Sequence, residues 1–187
     1  MNRSPGRPPR GKAGVSPKDI LLGALDLLDA KGAEAFTMRA LAERLQINAM
    51  TIYHHFGDRD GLIGAMSERA YRGVSAPPSG TPRSRIKALL LAYHAQVLHH
   101  PGLTLLIFSR PAVFPEQARR ITEDIAGLLA EAGLSPQRSR LWVNILVDFT
   151  HGAAVATAMG GQSTSDGLGL EIGYDDALTE LLNALAD

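Results

Sequence analysis

The residues best suited to chemistry in this chain sit close together in Thr51-Ile52-Tyr53-His54-His55-Phe56, where a hydroxyl, a phenol and two imidazoles are set between apolar residues. Such groups donate and accept hydrogen bonds without a fixed charge, which suits contact with phosphate oxygens and with base edges in a major groove. Catalysis would need a nucleophile converging with a base. The acids Glu123, Asp124 and Asp148 fall where helix surfaces are expected, and none is paired in sequence with a histidine. His94, His99, His100 and His151 invite a metal reading, yet no two of them stand at the i, i+4 spacing that puts both imidazoles on one helix face. The chain has no cysteine, which excludes disulfides and thiolate metal sites. No metal, no cofactor and no enzymatic activity are expected.

The elements that must position these groups are short helices. A helix start needs a side-chain acceptor for amide protons that lack an intrahelical partner, and Thr37, Asn48 and Asp58 supply three. After Thr37, Met38, Leu41, Ala42 and Leu45 fall at helical spacing and bury one face, leaving Arg39, Glu43 and Arg44 outside it. Gln46 and Ile47 make a turn, and Asn48 opens a second helix that buries Ile52 and Phe56 and faces Thr51, Tyr53, His54 and His55 outward. Gly57 stops this helix, and a further one runs from Asp58 to Arg72. Ahead of them, Ser16-Pro17-Lys18-Asp19 is a compact start signal. The stripe of Ile20, Leu21, Ala24, Leu25 and Leu28 follows, ended by Lys31-Gly32.

The segments Phe36 to Ala42 and Thr51 to Phe56, followed by Arg59 and Leu62, resemble the tetracycline-repressor (TetR) family of bacterial transcription regulators. The likeness covers roughly residues 16 to 65. One departure is Gln46, where the family usually has Gly, and Gln is costlier in a left-handed backbone. The resemblance implies an all-α fold: an N-terminal three-helix helix-turn-helix DNA-binding domain, then a C-terminal helical ligand-binding and dimerisation domain. It implies that Tyr53, His55 and Arg59 hold phosphates, while Arg39, Ala49, Met50, Thr51 and His54 reach base edges, with Asn48 among the DNA-contacting residues. Arg39 would pair with guanine, and Ala49 or the Thr51 methyl would meet a thymine methyl.

Residues 1 to 15 read as a disordered basic arm, since Arg3, Arg7, Arg10 and Lys12 stand among Pro and Gly with no acid. Gly6-Arg7-Pro8 resembles the core of AT-hook arms, in which Arg7 would enter the minor groove; a merely solvated tail is the alternative. The formal net charge is zero, but eleven Lys/Arg stand against eight Asp/Glu up to Arg72, so the basic end is the end with the motif. The breaker Val74-Ser75-Ala76-Pro77-Pro78-Ser79-Gly80-Thr81-Pro82 divides a DNA-binding domain at 16–73 from a regulatory domain at 82–187.

Beyond the breaker the chain is helical again. Helices are expected from Thr81-Pro82 to about His99, from Pro115-Glu116 to Gly133, from Ser135-Pro136 to Met159 and from Asp175 to Ala186, with one apolar turn or two at Gly102 to Phe108 and a Gly/Ser-rich loop from Gly160 to Gly173. The resemblance implies that the last two long helices form a homodimer interface across a twofold axis, with ordinary intrachain packing as the alternative. It also implies a pocket for an unknown small-molecule effector. Candidate lining residues are His94, Leu98, Leu105, Phe108, Phe114, Trp142, Phe149 and Met159, apolar groups with a few polar handles.

No stretch approaches the roughly twenty apolar residues of a membrane span and no apolar signal core follows Met1, so a cytoplasmic protein without a membrane partner is expected. The resulting expectation is a ligand-responsive repressor that binds a palindromic double-stranded DNA operator as a homodimer and is released by an inducer. A transcriptional activator of the same fold and a helical protein-interaction module without DNA binding remain as alternatives.

Overall fold

The computed structural model describes residues 15–110, 115–160 and 173–186. The basic arm with Arg7, the candidate Phe114 and most of the Gly/Ser-rich segment lie outside the described residues. Among those described, nine α-helices and one short 3-10 turn account for the regular structure.

The first four helices are α1 (Pro17–Ala35), α2 (Met38–Leu45), α3 (Ala49–Phe56) and α4 (Arg59–Ala70). Each begins where a polar side chain satisfies an orphan amide. Ser16 and Asp19 form a reciprocal capping box on α1. Thr37 Oγ1 accepts from Ala40 N at 3.1 Å, Asn48 Oδ1 from Met50 N at 2.8 Å and Asp58 Oδ1 from Gly61 N at 2.8 Å. Gly32 has φ 75° and ψ 174°, so the helical path breaks at Lys31-Gly32, as the sequence predicts, but one more turn then carries α1 to Ala35. Gln46 does adopt the left-handed conformation, φ 54° and ψ 42°, and its N–H closes the end of α2 on the carbonyls of Ala42 and Glu43.

The body comprises α5 (Pro82–His99), α6 (Pro101–Phe108), α7 (Glu116–Glu131), α8 (Pro136–Ala158) and α9 (Tyr174–Asn183), which runs into the 3-10 turn Ala184–Ala186. Thr81 and Ser135 cap α5 and α8 through their hydroxyls. Pro115 gives α7 no side-chain cap; the carboxylate of Glu68, on α4, accepts from Gln117 N at 2.7 Å and does this work from another helix.

Two apolar cores form, and their boundary does not follow the chain. The first gathers Ile20, Leu27 and Leu28 of α1, Leu41 of α2, Ile52 of α3 and Leu62, Ile63 and Met66 of α4, together with Leu103 and Leu106 of α6. The second holds Leu89, Leu90 and Val97 of α5, Ile125 and Leu129 of α7, Leu146 of α8 and Leu178 and Leu182 of α9, together with Tyr71 and Val74 from the end of the first segment. The sequence puts α6 in the 82–187 unit, whereas its apolar face closes the bottom of the head. In exchange, the chain after α4 is rooted in the body.

The expectation that no stretch approaches a membrane span needs correction for α8, which is long and apolar enough to cross one by length and composition. Its inner face packs in the second core while Leu141 and Ile145 lie exposed on the other side. Burial of one face only is the ordinary pattern of a helix on the surface of a bundle.

Candidate DNA-reading surface and cavity

In the head, Ile52 is fully buried and Phe56 partly so, which presses α3 against α2 and α4 and leaves the opposite face open. Met50 is 67% exposed and Tyr53 40%. His54 and His55 are exposed, their rings edge to face at 5.5 Å, and Thr51 and Ala49 are half-buried at the rim. Arg39 lies at the start of α2 with an exposed side chain, held by Glu43 at 2.9 Å. Asn48 spends its side-chain oxygen on the α3 cap. The candidate residues of α2 and α3 thus keep their side chains exposed or at the rim.

Arg59 is placed differently. Its guanidinium lies over the Phe36 ring at 5.8 Å from the centroid, with Nη2 3.5 Å from the Ala33 carbonyl oxygen. Burial and the neighbouring Arg110 push its pKa down, against the pull of Asp60. Asp60 itself is ion-paired with Arg110 from the chain end of α6. Sequence spacing puts Arg59 at a helix start but does not reveal that an aromatic ring beneath that start captures the side chain.

A cavity of about 320 Å³ opens where the two cores meet. Tyr71 enters it from the end of α4, Tyr93 from α5, and Thr104, Ile107 and Phe108 from α6. Ala118, Ile121 and Thr122 form the α7 wall, and Val147 and His151 the α8 wall. Two hydrogen-bonded pairs cross it: Tyr71 Oη with Thr104 Oγ1 at 3.0 Å, and Tyr93 Oη with His151 Nε2 at 2.5 Å. Tyr71 and Tyr93 meet edge to face at 5.3 Å, and Phe108 meets the His151 ring at 4.8 Å in the same manner. Burial pushes both phenols up and pushes the His151 imidazole down to about 4, the nearby Asp148 pulling weakly the other way. The polar groups in the cavity are therefore neutral at ordinary pH.

Of the eight candidate pocket residues, Phe108 lines this cavity. His94 is stacked flat on Tyr174 at 3.8 Å, and Phe149 stacks on the same tyrosine at 5.5 Å, which ties α9 to α5 and α8. Leu98 and Trp142 pack against the second core, and Leu105 and Met159 are exposed at 44% and 77%. Sequence marks His151 only as a metal candidate; among the described residues no three His, Asp or Glu side chains come together as a metal site. Tyr71, Tyr93, Thr104 and Thr122 carried no sequence signal, because each looks like an ordinary member of its own helix.

A family model for bacterial regulatory proteins of the tetR family matches residues 20–66. An HTH-type transcriptional regulator of Saccharopolyspora erythraea is 30% identical over 131 residues, which span 69% of this chain and 55% of the relative. An HTH-type transcriptional repressor of Mycobacterium tuberculosis is 27% identical over 195 residues, spanning 97% of this chain and 75% of the relative. The chain therefore accounts for little more than half of the first relative and three quarters of the second. Among solved structures, BioQ with its double-stranded DNA operator superposes with a TM-score of 0.73 at 22% identity, covering 90% of this chain and 96% of that one. The Streptomyces coelicolor TetR family protein ActR in complex with actinorhodin gives 0.71 at 20% identity, covering 93% and 98%. With the reading head matched to the family model and the all-helical fold shared almost end to end, the chain belongs to the tetR family of bacterial regulatory proteins, which are transcription regulators and not enzymes.

Proposed function

We propose that this protein is a repressor that binds a palindromic operator as a homodimer in the cytoplasm and lets it go when a small molecule fills the cavity. The observation that carries the reading is the position of that cavity. Its wall includes Tyr71, at the end of the helix that supports α3, and Thr104, on the helix that closes the head core. A ligand that displaces either group changes how α4 and α6 sit on the body. To act, it must bind the DNA-incompetent arrangement better than the competent one; equal affinity for both would shift nothing.

The head supports DNA contact through α3. Tyr53 and His55 are placed for phosphates, Arg39, Ala49, Met50, Thr51 and His54 for base edges, with Asn48 at the helix mouth. Arg59 joins the phosphate contacts by leaving its seat over Phe36. One short helix buries little DNA, so two copies reading half-sites about a helical turn apart are needed for useful specificity. The uncovered face of α8, with Leu141 58% and Ile145 36% exposed, is the surface on which a second copy packs, together with α9. The relatives point the same way: one is named a repressor, one solved structure holds its DNA operator and another a small molecule.

Selection from a random double-stranded library, followed by anisotropy across a salt series with wild type and Tyr53→Ala, tests the reading. Enrichment of an inverted repeat, weakened by Tyr53→Ala and falling steeply with salt, is the expected result. A stable dimer that enriches no sequence would replace it with a protein-interaction role. An activator would show the same binding, but with its site placed upstream of the promoter elements.

A further inference from the structure

The cavity's chemistry narrows what can occupy it. Among the described residues no Asp, Glu, Lys or Arg lines it, so an ionised guest would lose its water without gaining a counter-charge from them. The walls are aromatic and aliphatic: Phe108 stands half exposed at 54%, with the edges of Tyr71, Tyr93 and His151 around it. Rings of this kind favour offset or edge contacts with another ring.

The polar handle can be counted. Between them the Tyr93 phenol and the neutral His151 imidazole own two acidic protons, and their mutual bond at 2.5 Å uses one. If the phenol donates to Nε2, the other proton sits on Nδ1, which is buried with no partner among the described residues. If Nε2–H donates instead, the phenol proton is left over. Either way the pair holds one unspent donor, and a buried donor without an acceptor is costly. Opposite, Tyr71 and Thr104 likewise bring two hydroxyl protons to one bond.

We propose that the cavity takes a neutral, ring-bearing molecule that offers one acceptor oxygen, such as a carbonyl, to the Tyr93–His151 pair, an inference that rests on this cavity being the effector site. Its volume of about 320 Å³ lies at the small end of ligand pockets and accommodates two fused rings with a short substituent.

Three probes on one ring separate the terms: acetonaphthone, with a carbonyl; naphthalene, with no polar group; and naphthoate, with a carboxylate. Calorimetry on the intact protein should rank acetonaphthone at least about tenfold tighter than either of the others. Acetonaphthone should lose that advantage over naphthalene in the double variant Tyr93→Phe, His151→Leu, while naphthalene binding itself persists and shows that the cavity is still formed. Naphthoate binding as tightly as acetonaphthone, or a carbonyl preference that survives the double variant, would overturn the ligand class. The same titrations are followed by operator anisotropy. Naphthoate binding best and releasing DNA would leave the effector site standing and remove the class. The expected order with unmoved DNA affinity would keep the class and remove the effector site, and no binding by any probe would remove both.

Discussion

The Tyr71 hydroxyl lies 3.0 Å from the Thr104 hydroxyl in buried space, so the residue that follows the last head helix is bonded to the body-side helix that closes the head core. Tyr71 is 1% exposed and Thr104 2%. The pair forms part of the cavity wall and sits at the joint between the two cores, which makes it, on the proposed function, the place where occupancy would reach the head.

Removing one partner should therefore act twice. Tyr71→Phe leaves the Thr104 hydroxyl buried without its partner and should cost about 1 to 3 kcal/mol in urea unfolding. Combining it with Thr104→Val should restore part of that loss, since both ends are then apolar. A double variant whose loss equals the sum of the two single losses would show that the bond contributes nothing.

Tyr53 and Arg39 should separate affinity from specificity. Tyr53→Ala is expected to weaken binding to every sequence alike, whereas Arg39→Ala should relax preference at one position by about 1 to 3 kcal/mol. The Arg39–Glu43 pair does not oppose this: with Arg39 89% exposed, opening it costs little. Competition assays on operator variants distinguish the two, and a uniform loss for Arg39→Ala would demote it to a phosphate contact.

Two glycines in the head predict different costs for one added methyl. A Cβ at Gly61 would collide with the Phe56 carbonyl oxygen, which is backbone, while at Gly23 it would meet Leu45 Cδ2 at 2.7 Å, the far end of a side chain that can turn away. Gly61→Ala should thus cost roughly 1 to 3 kcal/mol and Gly23→Ala distinctly less. Thermal unfolding of the two variants in parallel checks the order; equal losses would mean that the α3–α4 corner is softer than its geometry.

His151 makes stability depend on pH in a definite direction. Its pKa is pushed down from 6.5 to about 4, mainly by burial, so between those values the unfolded chain takes up a proton that the folded one refuses. Stability contributed by neutral His151 is complete above 6.5 and lost as pH falls toward 4, up to about 3 kcal/mol. Burial of His94 acts in the same direction. His151→Gln should flatten the profile between about pH 7 and about pH 4.5 in urea titrations. An unchanged slope would assign the acid sensitivity to other groups.

Ile145→Glu should split the proposed dimer. Ile145 is 36% exposed on the outer face of α8 beside Leu141, so a carboxylate there costs the single chain little but is desolvated in a packed interface. Sedimentation should show monomers and operator affinity should drop sharply. A dimer that persists would move the interface elsewhere.

The head was legible because its signals are local. Thr37, Asn48 and Asp58 bond to amides two or three residues onward, and Ile52 and Phe56 fall on one side of α3 by helical period alone, so three helix starts and a reading face follow from adjacent residues. Gln46 departs from the family's Gly and is costly in a left-handed backbone, which points to a reshaped turn, yet it adopts that conformation. Packing between distant helices decided the rest. Sequence order places α6 with the body, but Leu103 and Leu106 are buried in the head core. Arg59 marks a helix start, but the Phe36 ring decides where its guanidinium rests. The cavity is assembled from five separate segments, with Tyr71 and His151 far apart in the chain, and an apolar or aromatic residue at helical spacing reads the same whether it faces a core or a hole. Periodicity tells which face of a helix is buried; only the meeting of several helices tells whether the space beyond that face is filled.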